Sequence, residues 1–150
     1  MPSVLAPVSG QAVGLAGVAD PVFSQAMVGP GTAIDPERGP QQALAPISGT
    51  VLKMHPHAFV LVAADGKGVL VHLGIDTVDL KGEGFTVLAA EGDAVEAGTP
   101  LVRWDPAAVE QGGRAPVVPV IALDVGAEVL TGLVEEGPAE AGRTVLFGLP

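Results

Sequence analysis

Short apolar runs, each closed by Gly, Pro or Asp, recur along the whole chain. The strongest pair is His57-Ala-Phe-Val-Leu-Val62 and Gly68-Val-Leu-Val-His-Leu-Gly-Ile-Asp-Thr-Val78. Between them lies Ala63-Ala-Asp-Gly-Lys67, an Asp-Gly turn signal, so the two runs are expected to pair antiparallel. Parity then tests the register. A two-residue loop at Asp65-Gly66 pairs 64 with 67, so His72 faces Phe59 and His57 faces Gly74. Because side chains alternate, His57 and His72 would share one face as diagonal neighbours. A four-residue loop also keeps them together; a three-residue loop separates them.

Other runs read as further strands. Ala6-Pro-Val-Ser-Gly10 recurs as Ala45-Pro-Ile-Ser-Gly49, each copy before an apolar stretch. This repeat predicts an internal duplication, with two similar sheets packed face to face. Strands are expected at Thr32-Ala-Ile-Asp35, from Ala43 to Met54, at Phe85-Thr-Val-Leu-Ala-Ala90, and before Trp104. Pro116 to Leu123 is apolar but holds Pro119, which predicts an edge strand or a bulge. Leu133-Val134 and Thr144-Val-Leu-Phe147 flank a Gly/Pro-rich stretch as a closing hairpin. Two short helices are predicted. One covers Asp20-Pro-Val-Phe-Ser-Gln-Ala-Met27, capped by Asp20 and stopped at Gly29; the other covers Asp105 to Gln111, before Gly112-Gly113. The fold class is therefore all-β, an antiparallel β-sandwich with short rim helices, and no linker divides residues 1–150.

Composition narrows the class. The 150 residues are 48% hydrophobic and 16% charged, which suits one packed domain rather than a disordered chain. Net charge is −10, from 7 basic and 17 acidic residues, a surface that repels nucleic acid and anionic membranes and attracts a basic partner. The absence of cysteine excludes a disulfide framework and a thiol nucleophile. The N-terminal residues carry no basic-then-apolar signal, and no apolar run is long enough for a membrane helix. A cytoplasmic, soluble protein is expected.

His72 is the candidate nucleophile. It is an imidazole in an otherwise apolar strand, with Asp76 nearby and Gly74 two residues on, where the missing side chain is expected to leave room for a visitor beside the ring. A neutral imidazole offers a lone pair near pH 7.

Val71-His-Leu-Gly-Ile-Asp-Thr-Val78, followed by Leu80-Lys-Gly-Glu-Gly-Phe85, resembles the active-site signature of the glucose-type EIIA proteins. These are phosphocarriers of the bacterial phosphoenolpyruvate-dependent sugar phosphotransferase system. The resemblance spans residues 4 to 149. It implies that His72 takes the phosphoryl group on Nε2 while a backbone carbonyl holds Nδ1. It implies that His57 is the second active-site histidine, which stabilises the phosphoryl charge. Members often carry a threonine two residues before that histidine; His55 stands there in this chain. Asp76 is expected to anchor a partner arginine rather than touch phosphate. Val22, Phe23, Met27, Leu70 and Val78 are expected to form an exposed apolar docking patch, with Asp20 and Asp76 at its rim. The implied donor is the histidine phosphocarrier protein HPr, and the implied acceptor is an EIIB domain working with the membrane component EIIC. Regulatory target proteins are also implied. No metal or cofactor is called for beyond the transient phosphohistidine, and a monomer is expected.

Two other classes share parts of the pattern. A biotinyl or lipoyl carrier would use a hairpin lysine, yet Lys67 and Lys53-Met54 lack the expected surroundings. A zinc peptidase of related sandwich fold would use His55-Pro-His57, yet only three histidines are present for ligands and base together.

Overall fold

Both copies of the Ala-Pro-x-Ser-Gly motif join one strand to the next. The first links β1 (Ser3–Leu5) to β2 (Gly10–Ala12); the second links β4 (Gln41–Leu44) to β5 (Gly49–His55). In the computed structural model, which describes residues 3–150, the two copies bind each other reciprocally. Leu5 N–H donates to Pro46 O at 2.9 Å, and Leu44 N–H donates to Pro7 O at 2.9 Å. Each serine also plays the same part. Ser9 Oγ accepts from Ala141 N–H and Ser48 Oγ accepts from Ala97 N–H, both at 2.9 Å. A Cβ on Gly10 or Gly49 would lie 2.0 Å from Asp35 O or 2.2 Å from Val62 O, so both motif glycines permit a close strand approach. The expected duplication is present in the motifs, but not as two similar sheets: the strands form sheets of eight, three and two. The duplication extends to a second repeated pair, Glu91 to Gly98 and Glu136 to Gly142.

The remaining strands are β3 (Gly31–Pro36), β6 (Ala58–Val62), β7 (Gly68–His72), β8 (Thr86–Val87), β9 (Ala94–Val95), β10 (Pro100–Trp104), β11 (Val118–Leu123), β12 (Gly137–Ala139) and β13 (Val145–Gly148). The helices are α1 (Pro21–Ser24) and α2 (Pro106–Gln111). An eight-stranded sheet runs β12-β2-β3-β11-β7-β6-β5-β9. A three-stranded sheet, β4-β10-β8, and the pair β1-β13 complete the strand layers. All the pairings are antiparallel, as expected for the sandwich.

Alternation along the sheet sorts its side chains into two layers. Phe59, Leu61, Val69, Val71, Val118 and Val120 enter the main core with Leu101, Trp104, Leu146 and Phe147. Each such side chain contributes about 1.5–3 kcal/mol of transfer free energy. Ile121 and Ala33 point to the other face, where Leu15, Val18, Phe23 and Ile75 cover them and Leu70 packs alongside. His72 follows Leu70 by two residues, so it belongs to this second, thinner layer.

Several expected elements differ. The stretch Ala43 to Met54 is two strands, because Pro46 interrupts it between β4 and β5. Only Thr86–Val87 of the run at 85–90 is strand. α1 ends at Ser24, five residues before Gly29, and Ala26 takes the left-handed position, φ 54°, that closes the helix. Pro119 is not at an edge: β11 lies between β3 and β7. It pairs only with Ala33 of β3, and the ladder to β7 begins at Val120, opposite Val71. The missing N–H thus falls where the ladder to β7 stops, one position short of His72. The closing hairpin does not form as a ladder of its own. β12 pairs with β2 and β13 with β1, while Val134 N–H makes a single bond to Leu146 O.

Candidate functional site

The loop between β6 and β7 overturns the register expected for it. Val62 pairs with Gly68 and Ala58 with His72, and Ala63 N–H donates to Lys67 O. This leaves the three-residue loop 64–66, not the two-residue Asp-Gly loop. His72 therefore faces Ala58 rather than Phe59, and His57 lies opposite Leu73 rather than Gly74, with Leu73 N–H donating to His57 O at 2.7 Å. Strict alternation would now send the two rings to opposite faces. They meet nonetheless, with ring centroids 5.2 Å apart and planes at 70°. The reason lies at the other end of β6. His55 pairs with Ala58, so Pro56 and His57 form a tight turn, and alternation does not extend through it.

His72 is fixed on two sides. Phe23 packs on its ring, with centroids 5.3 Å apart. Its Nδ1 lies 2.5 Å from Gly74 O. A carbonyl only accepts, so the proton sits on Nδ1 and the lone pair on Nε2 is free. Burial lowers the affinity of His72 for a second proton below the ordinary histidine value; the Gly74 carbonyl and the charges of Asp20 and Asp76 oppose that shift. Burial also lowers His57, helped by the neighbouring His72 and His55. Both rings are accordingly neutral near pH 7.

Gly74 was expected to leave room for a visitor beside the ring. Its open side is filled instead: an added Cβ would lie 2.7 Å from Thr77 Cγ2 and 3.1 Å from Ala115 O. Glycine serves the turn here, at φ 84°, where other residues are strained. His55 is exposed and stacks on His57 at 5.8 Å. Asp76 starts the 3-10 turn Thr77–Leu80 with φ 59°, and its side chain makes no capping bond. Asp20 does cap α1, accepting from Val22 N–H at 2.9 Å.

The apolar patch is partly as expected. Val22, Met27 and Val78 are exposed, Met27 at 69%, and Leu70 is half-buried. Phe23 is not part of the exposed surface, being 8% exposed beneath His72. A four-residue helix shows only one flank, and Phe23 points inward from it. Thr77, Arg114 and Ala115 also shape the site and were not singled out from the sequence. Thr77 lies inside the recognised stretch, where a threonine in an apolar run reads simply as a strand former. Among the described residues, no group of three or more His, Asp or Glu side chains is arranged to hold a metal ion. No helix there is long and apolar enough to cross a membrane.

Comparison of the sequence with known proteins points to one family. Residues 2–127 match the family described as phosphoenolpyruvate-dependent sugar phosphotransferase system, EIIA 1. A glucose-specific EIIA component of Staphylococcus aureus is 36% identical over 144 residues, covering 95% of this chain and 86% of that protein. A glucoside-specific EIICBA component of Staphylococcus carnosus is 41% identical over 140 residues, which is 89% of this chain but 20% of that longer protein. The solved glucose permease IIA of Mycoplasma capricolum superposes with a TM-score of 0.87 at 33% identity, covering 97% of this chain and 93% of that one.

Proposed function

The chain belongs to the EIIA 1 family of the phosphoenolpyruvate-dependent sugar phosphotransferase system, and we propose that His72 is the residue on which it carries phosphate. It is a phosphotransferase component that works through a phosphohistidine, and neither the biotinyl or lipoyl carrier nor the zinc peptidase is favoured. The observation that carries the assignment to His72 is the 2.5 Å contact from its Nδ1 to Gly74 O, which leaves Nε2 as the free lone pair.

Nε2 attacks the phosphorus of a phosphohistidine on HPr. A nitrogen–phosphorus bond forms at His72 as the one in the donor breaks, and the donor nitrogen keeps the released electron pair. No proton has to leave His72, because its only ring proton is held at Gly74. His57, 5.2 Å away between ring centroids, supports the phosphoryl oxygens. In the onward step the nitrogen–phosphorus bond at His72 breaks and the group passes to an EIIB domain, as the Staphylococcus carnosus EIICBA component suggests. Asp20 and Asp76 serve as anchors for basic residues of these partners, and Val22, Met27, Val78 and Leu70 as the apolar contact between them. Residues 1–150 act as one EIIA domain.

The test is incubation with phosphoenolpyruvate, enzyme I and HPr, followed by acid treatment of the labelled protein. Acid-labile label on the wild type and none on His72→Ala supports the reading. Label that persists on His72→Ala overturns it.

A further inference from the structure

Between His72 and Thr77, four peptide groups are held by hydrogen bonds. Leu73 N–H donates to His57 O at 2.7 Å, and Ile75 N–H donates to Ala115 O at 2.9 Å. Arg114 Nε donates to Asp76 O at 3.2 Å. The buried Thr77 does two things at once. Its Oγ1 donates to Leu73 O at 2.8 Å, and its Cγ2 fills the space that a Cβ on Gly74 would need. The side chain has no exposure at all, so a lost bond there leaves Leu73 O without water to replace it.

We infer that Thr77 is a positioning residue for His72: it holds the turn in which the Gly74 carbonyl keeps the ring proton on Nδ1. The inference rests on His72 being the phosphoryl acceptor. The chain of restraint is short. Thr77 fixes the 73–74 peptide from its oxygen side and Gly74 from its open side. Ala115 fixes the next peptide through Ile75 N–H. The carbonyl of that same peptide, Gly74 O, accepts from His72 Nδ1. A polarised peptide is a better acceptor, so the bond from Ala115 strengthens the one to His72. If the turn relaxes, the ring is free to carry its proton on Nε2, and the nucleophilic lone pair then points into the protein. A buried threonine can also be simply a satisfied core residue, and the tautomer of His72 separates the two roles.

The full chain, labelled with nitrogen-15 in its histidines, is examined by NMR as wild type, Thr77→Val, Thr77→Ala and Thr77→Ser, without any phosphoryl donor. The wild type is expected to show His72 protonated on Nδ1. Val keeps the shape but loses the hydroxyl, and Ala loses both. In each, the ratio of the two tautomers should shift toward Nε2–H by about fivefold or more, the effect of one lost hydrogen bond. Ser keeps the donor and should restore the wild-type signal. Loading from HPr should fall about tenfold or more in Val and Ala, as kcat and not KM, because the group is displaced and not the partner surface. Ala, which sets no methyl group against Leu73 O, supplies the answer if Val does not fold. A folded Val or Ala variant with the wild-type tautomer overturns the inference, whether or not its transfer is slowed. Because the NMR arm needs no phosphate, it is read independently: a wild type that takes no label overturns the assignment to His72 instead.

Discussion

The two halves of the duplicated scaffold differ at one connection, and that difference divides the labour of the site. In the first half, β2 and β3 are joined by residues 13–30, which carry a 3-10 turn and α1. In the second half, β5 and β6 are joined by Pro56 and His57 alone. The scaffolds beneath them match bond for bond: Ser9 to Ala141 and Ser48 to Ala97, Ala6 O to Gly142 and Ala45 O to Gly98. The long connection brings Phe23 under His72 and exposes Val22 and Met27. The short one brings a second imidazole to the first. One half therefore lays out exposed apolar side chains and the other brings two imidazoles together, on the same framework.

The largest expected effect falls on the chemical half. His72→Ala should abolish phosphorylation in the labelling assay while the chain still melts cooperatively. Acidity tests the same residue without mutation. Both site histidines hold lowered proton affinity in the fold, so Nε2 should stay available below pH 6.5, the ordinary histidine value. Loading should then decline only at still lower pH. The stability sign follows from the same shift. As pH falls below that ordinary value, the unfolded chain binds protons that the folded rings refuse, so this contribution to stability is lost on acidification. A loading rate that halves at the ordinary histidine value would contradict the buried, neutral ring.

His57→Ala comes next. A donor hydrogen bond to the charged phosphoryl group contributes roughly 1.5–3 kcal/mol, so transfer should slow about tenfold to a hundredfold, most clearly toward EIIB. His57→Gln keeps a donor and should be faster than Ala; His55→Ala should act less than either. Rapid-quench rates of both half-reactions measure this, and wild-type rates in His57→Ala would remove the shared site.

How legible was this comparison in the chain itself? The duplicated motif, the sandwich class and the meeting of His57 with His72 were all readable. The route to that meeting was not. Parity assumes regular strands, and a tight turn at Pro56-His57 lies outside any such assumption. The loop at Asp65-Gly66 also took one residue more than its signal suggested, since Ala63 and Lys67 close it. Pro119 misled for a related reason. A proline is forbidden only where its nitrogen must donate, and β11 places that nitrogen just past the end of the ladder to β7. Thr77 was hidden because its partner, Leu73 O, is backbone. No side-chain pattern announces a backbone carbonyl in need of a donor.

On the surface half, Asp20→Asn keeps the helix cap and removes the charge. Loading by a basic donor should slow by roughly threefold to tenfold at low salt, with the gap closing as salt rises. Stopped-flow rates across ionic strength would show it; an equal deficit at every salt concentration would place Asp20 in the chemistry instead. The smallest effect tests the framework. Ser9→Ala and Ser48→Ala should each cost about 1 kcal/mol in urea unfolding, because each removes one acceptor of the same kind. A cost confined to one serine would show that the halves match in geometry but not in energy.

The pairing of Ser3 with Gly148 joins residues from opposite ends of the chain. Contacts of such wide sequence separation form late, since a long loop must close first. Val4 remains uncovered until Phe147 arrives beside it. During synthesis, which delivers the N-terminal part first, the motif pair Ala6-Pro7 and Ala45-Pro46 can lock early, but the layer over β1 stays open until β13 emerges. A chain stopped after Thr144 should accordingly expose its core to protease.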